Sequence, residues 1–356
     1  MDVSVVHPED LSSADLSTWR HLQGSDPAMD NAFLSPEFAA IVGRCRPQTR
    51  VAVVHDGGEI IAFLAFELGA LGIGRAIGCG VSDAQGLICQ RGQTMDPVRL
   101  VRACGIGVWE FDHLVFRLEV LSPWTYDVGQ GPVMDVREGY KAYLHQDDRH
   151  KSRSMCSLLQ KRRKLEREQG DIEFTFASTD MAALATLIDW KSAQYARTGH
   201  FDRFSRPWIR DLVRLLAACD EPACRGTLST LSVGGRLIAA HFGIRTTTRL
   251  SLWFPSYDLE FARYSPGLQL FLALAEAAPD HGVGILDLGK GTEPYKLSLA
   301  SWSYPVASGR VEAKQLASFA RQLETGVQRR ADGFIVGHPR LRALLPPGLS
   351  KVGRLR

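Results

Sequence analysis

Apolar and polar residues along this chain change period at short intervals, and each change marks the end of one element. Val51-Ala52-Val53-Val54 is a β-prone run, broken at Gly57-Gly58-Glu59 and resumed in Ile60-Ile61-Ala62-Phe63-Leu64. The same order returns 177 positions later in Ser229-Thr230-Leu231-Ser232, Gly234-Gly235-Arg236 and Leu237-Ile238-Ala239-Ala240-His241. Strand, Gly-Gly and strand predict a β-hairpin, because a two-residue turn that follows strand twist needs positive φ at both positions. Residues 151–169 put Met155, Leu158, Leu159 and Leu165 on a sparse helical face, with Gly170 as a C-cap. Residues 181–197 stack Leu184, Leu187, Ile188, Lys191 and Tyr195 at helical spacing, and 208–218 read as another amphipathic helix after Pro207. Ser251 to Phe254 is β-prone, and Pro255 lacks a donor, so pairing on one side is expected to stop there. Ser265 is placed to cap, and Pro266 to begin, a helix over 268–278. Residues 284–288 form a short apolar strand ending on a carboxylate. A strand at 308–312 and a helix at 313–327 follow, and the tail from Pro339 is expected to be loosely held.

Further echoes join the hairpins. Asp96-Pro97 opens a helix as Ser265-Pro266 does, and 113–118 reads as a strand roughly where 285–288 lies. Three ordered echoes predict α/β architecture with two domains in tandem, 1–145 and 146–335, followed by a basic tail at 336–356. The first copy has no equivalent of Tyr264-Ser265-Pro266-Gly267 or of Tyr295-Lys296, and is read as the degenerate partner. In the second copy a helix N-terminus faces an interrupted strand. Free amides at the helix start and unpaired groups on the strand make a notch suited to a pyrophosphate and whatever it carries.

A length of 356 residues fits two domains, and 45% apolar with 23% charged residues describes a globular chain. A formal charge of +3 gives no general attraction for polyanions. Locally, eight Lys or Arg residues lie between Arg149 and Arg167. A helix face of like charge is usually a solvated one, and no aromatic residues interleave it, so nucleic acid is not the expected partner. The seven cysteines are scattered without a CxxC pair or metal-ligand spacing, which suggests reduced thiols, no metal and a cytoplasmic protein. No signal peptide and no spanning helix are expected. Neither GxGxxG nor GxxxxGK is present, and there is no GxSxG elbow, which removes the usual nucleotide-binding and serine-hydrolase readings.

Tyr264-Ser265-Pro266-Gly267, the helix after it, and Asp287…Gly291…Tyr295-Lys296 resemble the acyltransferase domain of the CelD/BcsL family of the GNAT (Gcn5-related N-acetyltransferase) superfamily, associated with cellulose and exopolysaccharide biosynthesis. The likeness takes in the basic stretch near Lys161 and Gly234 to Ala239. It is similar, more distantly, to the Fem-type aminoacyl transferases, which carry two such domains. The family's usual glycine-rich pyrophosphate loop is reduced here to Arg263-Tyr264-Ser265-Pro266-Gly267. The resemblance implies two tandem GNAT-like domains, each a mixed, mostly antiparallel sheet flanked by helices. It further implies acetyl transfer from acetyl-CoA, as co-substrate, to an amine or hydroxyl of a saccharide or cell-envelope precursor. The exopolysaccharide machinery would be the partner. A Fem-like transferase using charged tRNA and a non-catalytic scaffold are the other readings.

Acyl transfer needs an attacking acceptor, an oxyanion stabiliser and a proton for the leaving thiolate. The resemblance gives the proton to Tyr295; an ordinary half-buried tyrosine is the alternative. Lys296 would pair with phosphate or steady the oxyanion, or be solvated. Asp287 would accept a proton, or brace the Gly289-Lys290-Gly291 loop through a backbone amide two residues on. Ser265 and Gly267 are the expected pyrophosphate contacts, or an ordinary helix start that binds nothing, with Tyr264 and Lys290 also counted as cofactor-binding. Trp253 and Tyr257 would line the acyl slot, or pack as core aromatics, and backbone amides at Trp253 and Phe254 would hold the carbonyl oxygen. His241 is read as a core histidine or a substrate-facing base. The loop holding Arg197, His200 and Asp202 would choose the acceptor, or is a plain surface turn.

Overall fold

The computed structural model describes residues 1–115 and 119–313. The tail at 336–356, residues 116–118 of the strand expected at 113–118, and the helix expected at 313–327 beyond Ala313 lie outside the described residues. In the first half the strands are β1 (Asp2–Val6), β2 (Thr49–Asp56), β3 (Glu59–Leu68), β4 (Ile73–Ala76), β5 (Leu87–Cys89), β6 (Val108–Val115) and β7 (Thr125–Asp135). The second half gives β8 (Ile172–Thr175), β9 (Asp220–Glu221), β10 (Cys224–Val233), β11 (Arg236–Arg245), β12 (Arg249–Tyr257), β13 (Ile285–Asp287) and β14 (Trp302–Glu312). Helices α1 (Ser13–Gly24), α2 (Pro36–Cys45), α3 (Pro97–Ala103) and α4 (Tyr140–His145) precede α5 (Arg153–Gln169), α6 (Met181–Thr198), α7 (Pro207–Ala217), α8 (Pro266–Ala277) and α9 (Pro294–Leu299).

Both hairpins form as the pattern predicts. Gly57 and Gly58 have φ of 58° and 89°, and Gly234 and Gly235 have 54° and 77°, the left-handed values the turn demands. Each hairpin carries a bulge at the same distance from its turn. Val54 pairs with Ala62 and His55 with Ile60, while Leu231 pairs with Ala239 and Ser232 with Leu237. The two halves are therefore built alike, but they are not separate sheets. One sheet runs β1-β2-β3-β4-β6-β14-β7-β13-β12-β11-β10-β8. The last strand of the second half, β14, lies between β6 and β7, while β7 lies between β14 and β13.

Three expectations need correction. Pro255 does not end pairing: β11 continues along β12 as far as Tyr257. The interruption falls earlier and on the other edge, where parallel pairing with β13 stops at Ser251–Asp287. Ser265 occupies the N-cap position of α8 with φ +57° and makes no capping bond; its hydroxyl is held by Lys161 instead, at 2.9 Å. The strand expected at 308–312 starts at Trp302. Pro305 is tolerated because there β14 pairs with β7, and among the described residues the β6 ladder begins only at Val306.

A bulge shapes the interruption. Phe254 pairs with Phe242 and Ser251 with Ile244, so Leu252 and Trp253 together face Gly243. An extra residue bends a strand and raises its twist, and here it turns β12 away from β13. No side chain fits opposite: a Cβ on Gly243 would overlap the Ser251 carbonyl oxygen and lie 2.8 Å from the His241 ring. Below this point one apolar core joins the halves, with Trp19, Phe33, Phe38 and Phe63 meeting Leu187, Leu212, Phe242, Trp253 and Phe254. A second core lies between α8, α5 and the strands of the second half. Gly243→Ala should therefore cost roughly 3 kcal/mol or more in urea unfolding, because neither the carbonyl nor the packed ring can retreat. Gly24→Ala, at the end of α1 with nothing within 4 Å of the added carbon, should be neutral or slightly stabilising. Equal effects at the two sites would refute the bulge argument.

Candidate active site

Past Ser251 and Asp287 the strands separate, and the gap between them is bounded by four segments. The exposed edge of β12 forms one wall, and the loop from Leu288 to Glu293 with α9 forms the other. The N-terminus of α8 stands at one end. From the first half, the loop 77–86 comes across, tied down where Trp253 Nε1 donates to the Val81 carbonyl at 2.6 Å and Arg203 Nη1 to the Gly80 carbonyl.

Asp287 anchors the floor. It is 3% exposed, and its carboxylate accepts from the Gly289 amide (2.9 Å), from Arg249 Nη1 (3.1 Å) and from the Tyr304 hydroxyl (2.6 Å). Burial, then the Asp287 charge, pushes the Tyr304 phenol well above its ordinary range. The bond to Gly289 is the loop brace that Asp commonly makes two residues on. Lys296 is also engaged: Nζ donates to the Lys290 and Gly289 carbonyls and pairs with Glu293 at 3.3 Å. Lys290 turns away into the first half, donating to Ser308 Oγ (2.7 Å) and the Asp112 carbonyl (3.0 Å). Tyr295 is 37% exposed and stacks on Phe271 of α8 with 6.4 Å between ring centroids. Burial, then Glu293, raises its pKa to about 12, so the phenol stays protonated at neutral pH.

At the helix start, Gly267 packs beside the Tyr257 ring, and Ser265 with Lys161 presents a hydroxyl and an ammonium next to the Gly267 amide, the Leu268 and Gln269 amides being bonded to the Ser265 carbonyl. Tyr264 is buried, donating to Glu168 at 2.7 Å, so it fastens α5 to this corner. Trp253 and Phe254 lie in the core, stacked on each other at 4.5 Å; only their backbone lines the gap. Arg197 and His200 sit on the surface, and Asp202 caps the turn Arg203–Ser205 through the Phe204 amide. The site thus gathers Asp287, Lys296, Tyr295, Ser265 and Gly267, and not Arg197, His200 or the rings of Trp253 and Phe254.

His241 is enclosed completely, between Ser229 of β10 and Pro255 of β12 in register. It lies beside the Ser251 backbone, yet neither ring nitrogen makes a hydrogen bond of good geometry among the described residues. Burial pulls its pKa down from 6.5 to about 3.

Sequence reasoning missed the groups that the first half and α6 bring in. Asp83 keeps 27% side-chain exposure at the bottom of the recess, and its Oδ1 stands 4.0 Å from His113 Nε2. A Cβ on Gly289 would lie 3.3 Å from its other oxygen, which fixes Asp83 against the loop after β13. Desolvation raises its pKa, opposed mainly by His113 and Arg203. Lys191 donates to the Pro255 carbonyl at 3.0 Å, on the wall of the gap. Burial first, then Arg203 and Lys296, bring it down to about 8. A lysine continuing the Leu184-Leu187-Ile188 stripe was the visible signal, since that face turns inward.

Among the described residues no group of three His, Cys, Asp or Glu is placed to hold a metal, and no helix is long and apolar enough to cross a membrane. All seven cysteines are free thiols. A cavity of about 720 Å³ lies at the other end of β13, lined by Asp30, Arg137, Thr248, Arg249, Gly284 and Tyr304; Arg249 and Tyr304, which hold Asp287, thus stand between it and the gap.

Residues 152–297 match the family model of the acetyltransferase (GNAT) domain. Among solved structures, FemX is similar with a TM-score of 0.59 and 10% identity, over 90% of this chain and 99% of that one. The C-terminal domain of a protein from Agrobacterium fabrum described as a lysylphosphatidylglycerol synthetase gives 0.52 at 13% identity, over 89% and 97%. A conserved protein of unknown function from Bacteroides thetaiotaomicron gives 0.53 at 14% identity, over 84% and 98%. No curated protein matches the sequence. The architecture is α/β, one large, mostly antiparallel sheet flanked by helices, and the match to the acetyltransferase (GNAT) domain falls within the second half.

The enclosed His241 gives a pH prediction. Its folded pKa is depressed, so the unfolded chain binds the extra proton; the stability is present above 6.5 and lost as pH falls toward 3. The loss should approach about 1.4 kcal/mol per pH unit below pH 6. His241→Leu should flatten the acid limb of stability measured by urea unfolding between pH 4 and 8. An unchanged slope would mean that the ring is paired or charged in the fold.

Proposed function

We propose that the chain is an acyl-CoA-dependent acyltransferase in which the gap between β12 and β13 holds the donor. One observation carries the reading: from Leu252 to Tyr257, β12 has no strand among the described residues on the edge facing the gap, and α8 begins beside it. An unpaired strand edge offers amide and carbonyl groups to a pantetheine chain, and a helix N-terminus attracts its pyrophosphate. Lys161 and the Ser265 hydroxyl add a charge-assisted contact at the same corner. The acceptor attacks the thioester directly, backbone amides near Trp253 and Phe254 take the developing oxyanion, and Tyr295 gives its proton to the departing thiolate. Lys296 and Asp287 hold the loop that positions Tyr295. Acetyl is the acyl group we favour, from the match to the acetyltransferase domain. A saccharide or cell-envelope acceptor, and a place beside the exopolysaccharide machinery in the cytoplasm, rest on the CelD/BcsL resemblance.

The tRNA-dependent reading draws on the similarity in fold to FemX and to a protein named for lysyl transfer. It is disfavoured by the state of the basic helix. Arg162 pairs with Glu166 and Glu276, and Lys164 with Glu168, so carboxylates already engage part of the helix's charge, while Lys161 stays charged beside the Ser265 hydroxyl at the start of α8.

Calorimetry with acetyl-CoA and desulfo-CoA should show both binding, and Lys161→Ala should weaken each by about tenfold. Tyr295→Phe should lower turnover by about 10²-fold while leaving donor affinity near that of the unaltered protein. Absence of CoA binding, together with tRNA binding that falls steeply with salt, would favour the aminoacyl alternative.

A further inference from the structure

Three charges beside the gap have no arginine, lysine or carboxylate within ion-pair distance among the described residues. Asp83 accepts no hydrogen bond among the described residues, and its one ion-pair contact there is the 4.0 Å approach of His113. That histidine is itself held by Asp112, whose Oδ1 is 3.0 Å from Nδ1. Lys191 meets only neutral oxygens, those of Pro255 and Gln194, and lies 5.5 Å from the centre of the Tyr195 ring. Arg203 spends one nitrogen on the Gly80 carbonyl, and no carboxylate pairs with it among the described residues. The other charges nearby are engaged: Asp287 by Arg249, and Lys296 by Glu293 and two carbonyls.

These three are brought together by the loop 77–86: it carries Asp83 against Gly289, its Gly80 carbonyl takes Arg203, and its Val81 carbonyl takes Trp253, two residues before the Pro255 carbonyl that Lys191 holds. Arg203 and Lys296 act electrostatically on both Asp83 and Lys191, and Tyr195 feels Arg203 and Asp83 together. A half-buried ion without a partner is costly, and a recess that keeps one anion and two cations in that state is complementary to a ligand of the opposite pattern. We infer that the acceptor is a zwitterionic amine, its ammonium facing Asp83 and a carboxylate or phosphate facing Lys191 and Arg203, and that Asp83 of the first half is the base which deprotonates it. The inference rests on the acyltransferase reading of the same gap and makes the first half a contributor to the site.

The chemistry balances. The ammonium yields a proton to the Asp83 carboxylate, and the neutral nitrogen forms a bond to the thioester carbonyl carbon. The carbon–sulfur bond breaks, Tyr295 protonates the thiolate, and the second nitrogen proton passes to the resulting phenolate, restoring the phenol. Asp83 then releases its proton to solvent. A carboxylate raised by desolvation is a better base for this step than a solvated one. The groups facing it are His113 on β6, Asp287 on β13, Lys296 on α9, Arg203 on the turn before α7, and the phenols of Tyr195 on α6 and Tyr304 on β14.

Acceptor binding is measured on the full chain without donor, so that a wrong donor assignment does not obscure the answer. The probes are glycine, O-phosphoethanolamine, ethanolamine and glycolate. At least one zwitterion should bind about tenfold or more tightly than ethanolamine and glycolate, with Asp83→Asn and Lys191→Met each removing about that much. Glycine alone binding assigns the anion subsite to a carboxylate, and O-phosphoethanolamine alone assigns it to a phosphate. With acetyl-CoA and the zwitterion that binds, Asp83→Asn should lower kcat by about 10²-fold and abolish the rise of kcat/KM with pH, and Asp83→Glu should restore part of both. Thermal unfolding of each variant separates loss of fold from loss of site. The inference is overturned if neither zwitterion binds, if ethanolamine or glycolate binds as well, or if a folded Asp83→Asn protein keeps its affinity and its pH profile.

Discussion

The whole sheet passes through a strand of three residues. Ile285-Leu286-Asp287 pairs in parallel with Arg249-Leu250-Ser251 on one side and antiparallel with Val133-Met134-Asp135 on the other. Each long neighbour runs on without it, so the gap beside β12 is a direct consequence of how short β13 is. The strand ends where the Asp287 carboxylate collects Arg249, Tyr304 and the Gly289 amide, three groups from three different segments. Those bonds turn the chain sharply out of the sheet into the loop that carries α9. The bulge at Leu252-Trp253 bends β12 the other way, and Gly243 is the residue that lets it happen.

Exchange of β7 and β14 between the halves then sets what surrounds the gap. Because β14 is clamped between β6 and β7, the first half is held at a fixed distance, and its loop 77–86 reaches the second half's strand ends. Trp253 makes the link in both senses. Its ring packs edge-on against Phe33 at 5.2 Å, and its indole N–H reaches the Val81 carbonyl. Burying such a ring contributes about 2–3 kcal/mol, and the hydrogen bond removes the cost of hiding its polar atom. Charge differs from one part of the gap to another: Lys161 stands at the start of α8, while Lys191 and Arg203 hold the Pro255 and Gly80 carbonyls and Asp83 lies against Gly289. A donor with a pyrophosphate at one end and a reactive thioester at the other fits that arrangement.

Local signals carried the elements well. Gly-Gly pairs need positive φ and little else, so both hairpins and their duplication could be read directly. Helices with a continuous apolar stripe, such as α6 and α7, were equally plain. What the sequence could not show was which partner a given side chain would find. Ser265 has the composition of a cap, but a left-handed backbone turned its hydroxyl toward Lys161. Lys290 and Lys296 looked like free cations beside a glycine loop, yet carbonyls and carboxylates from elsewhere in the fold occupy both. Trp253 and Phe254 were legible as strand aromatics, but the core shared by the halves, which takes their rings, exists only once β7 and β14 have crossed. Asp83 was invisible for the same reason: it lies in a loop of the half that seemed degenerate, and only the shared sheet brings it to the site.

Amide hydrogen exchange with and without acetyl-CoA tests the central claim most directly. If the donor lies along the open edge of β12, exchange should slow at Trp253 and Tyr257, whose amides point away from β11, and at Gly267 where α8 begins. Protection confined to Thr248, Gly284 and Trp302 around the other cavity, or no protection at all, would contradict the account.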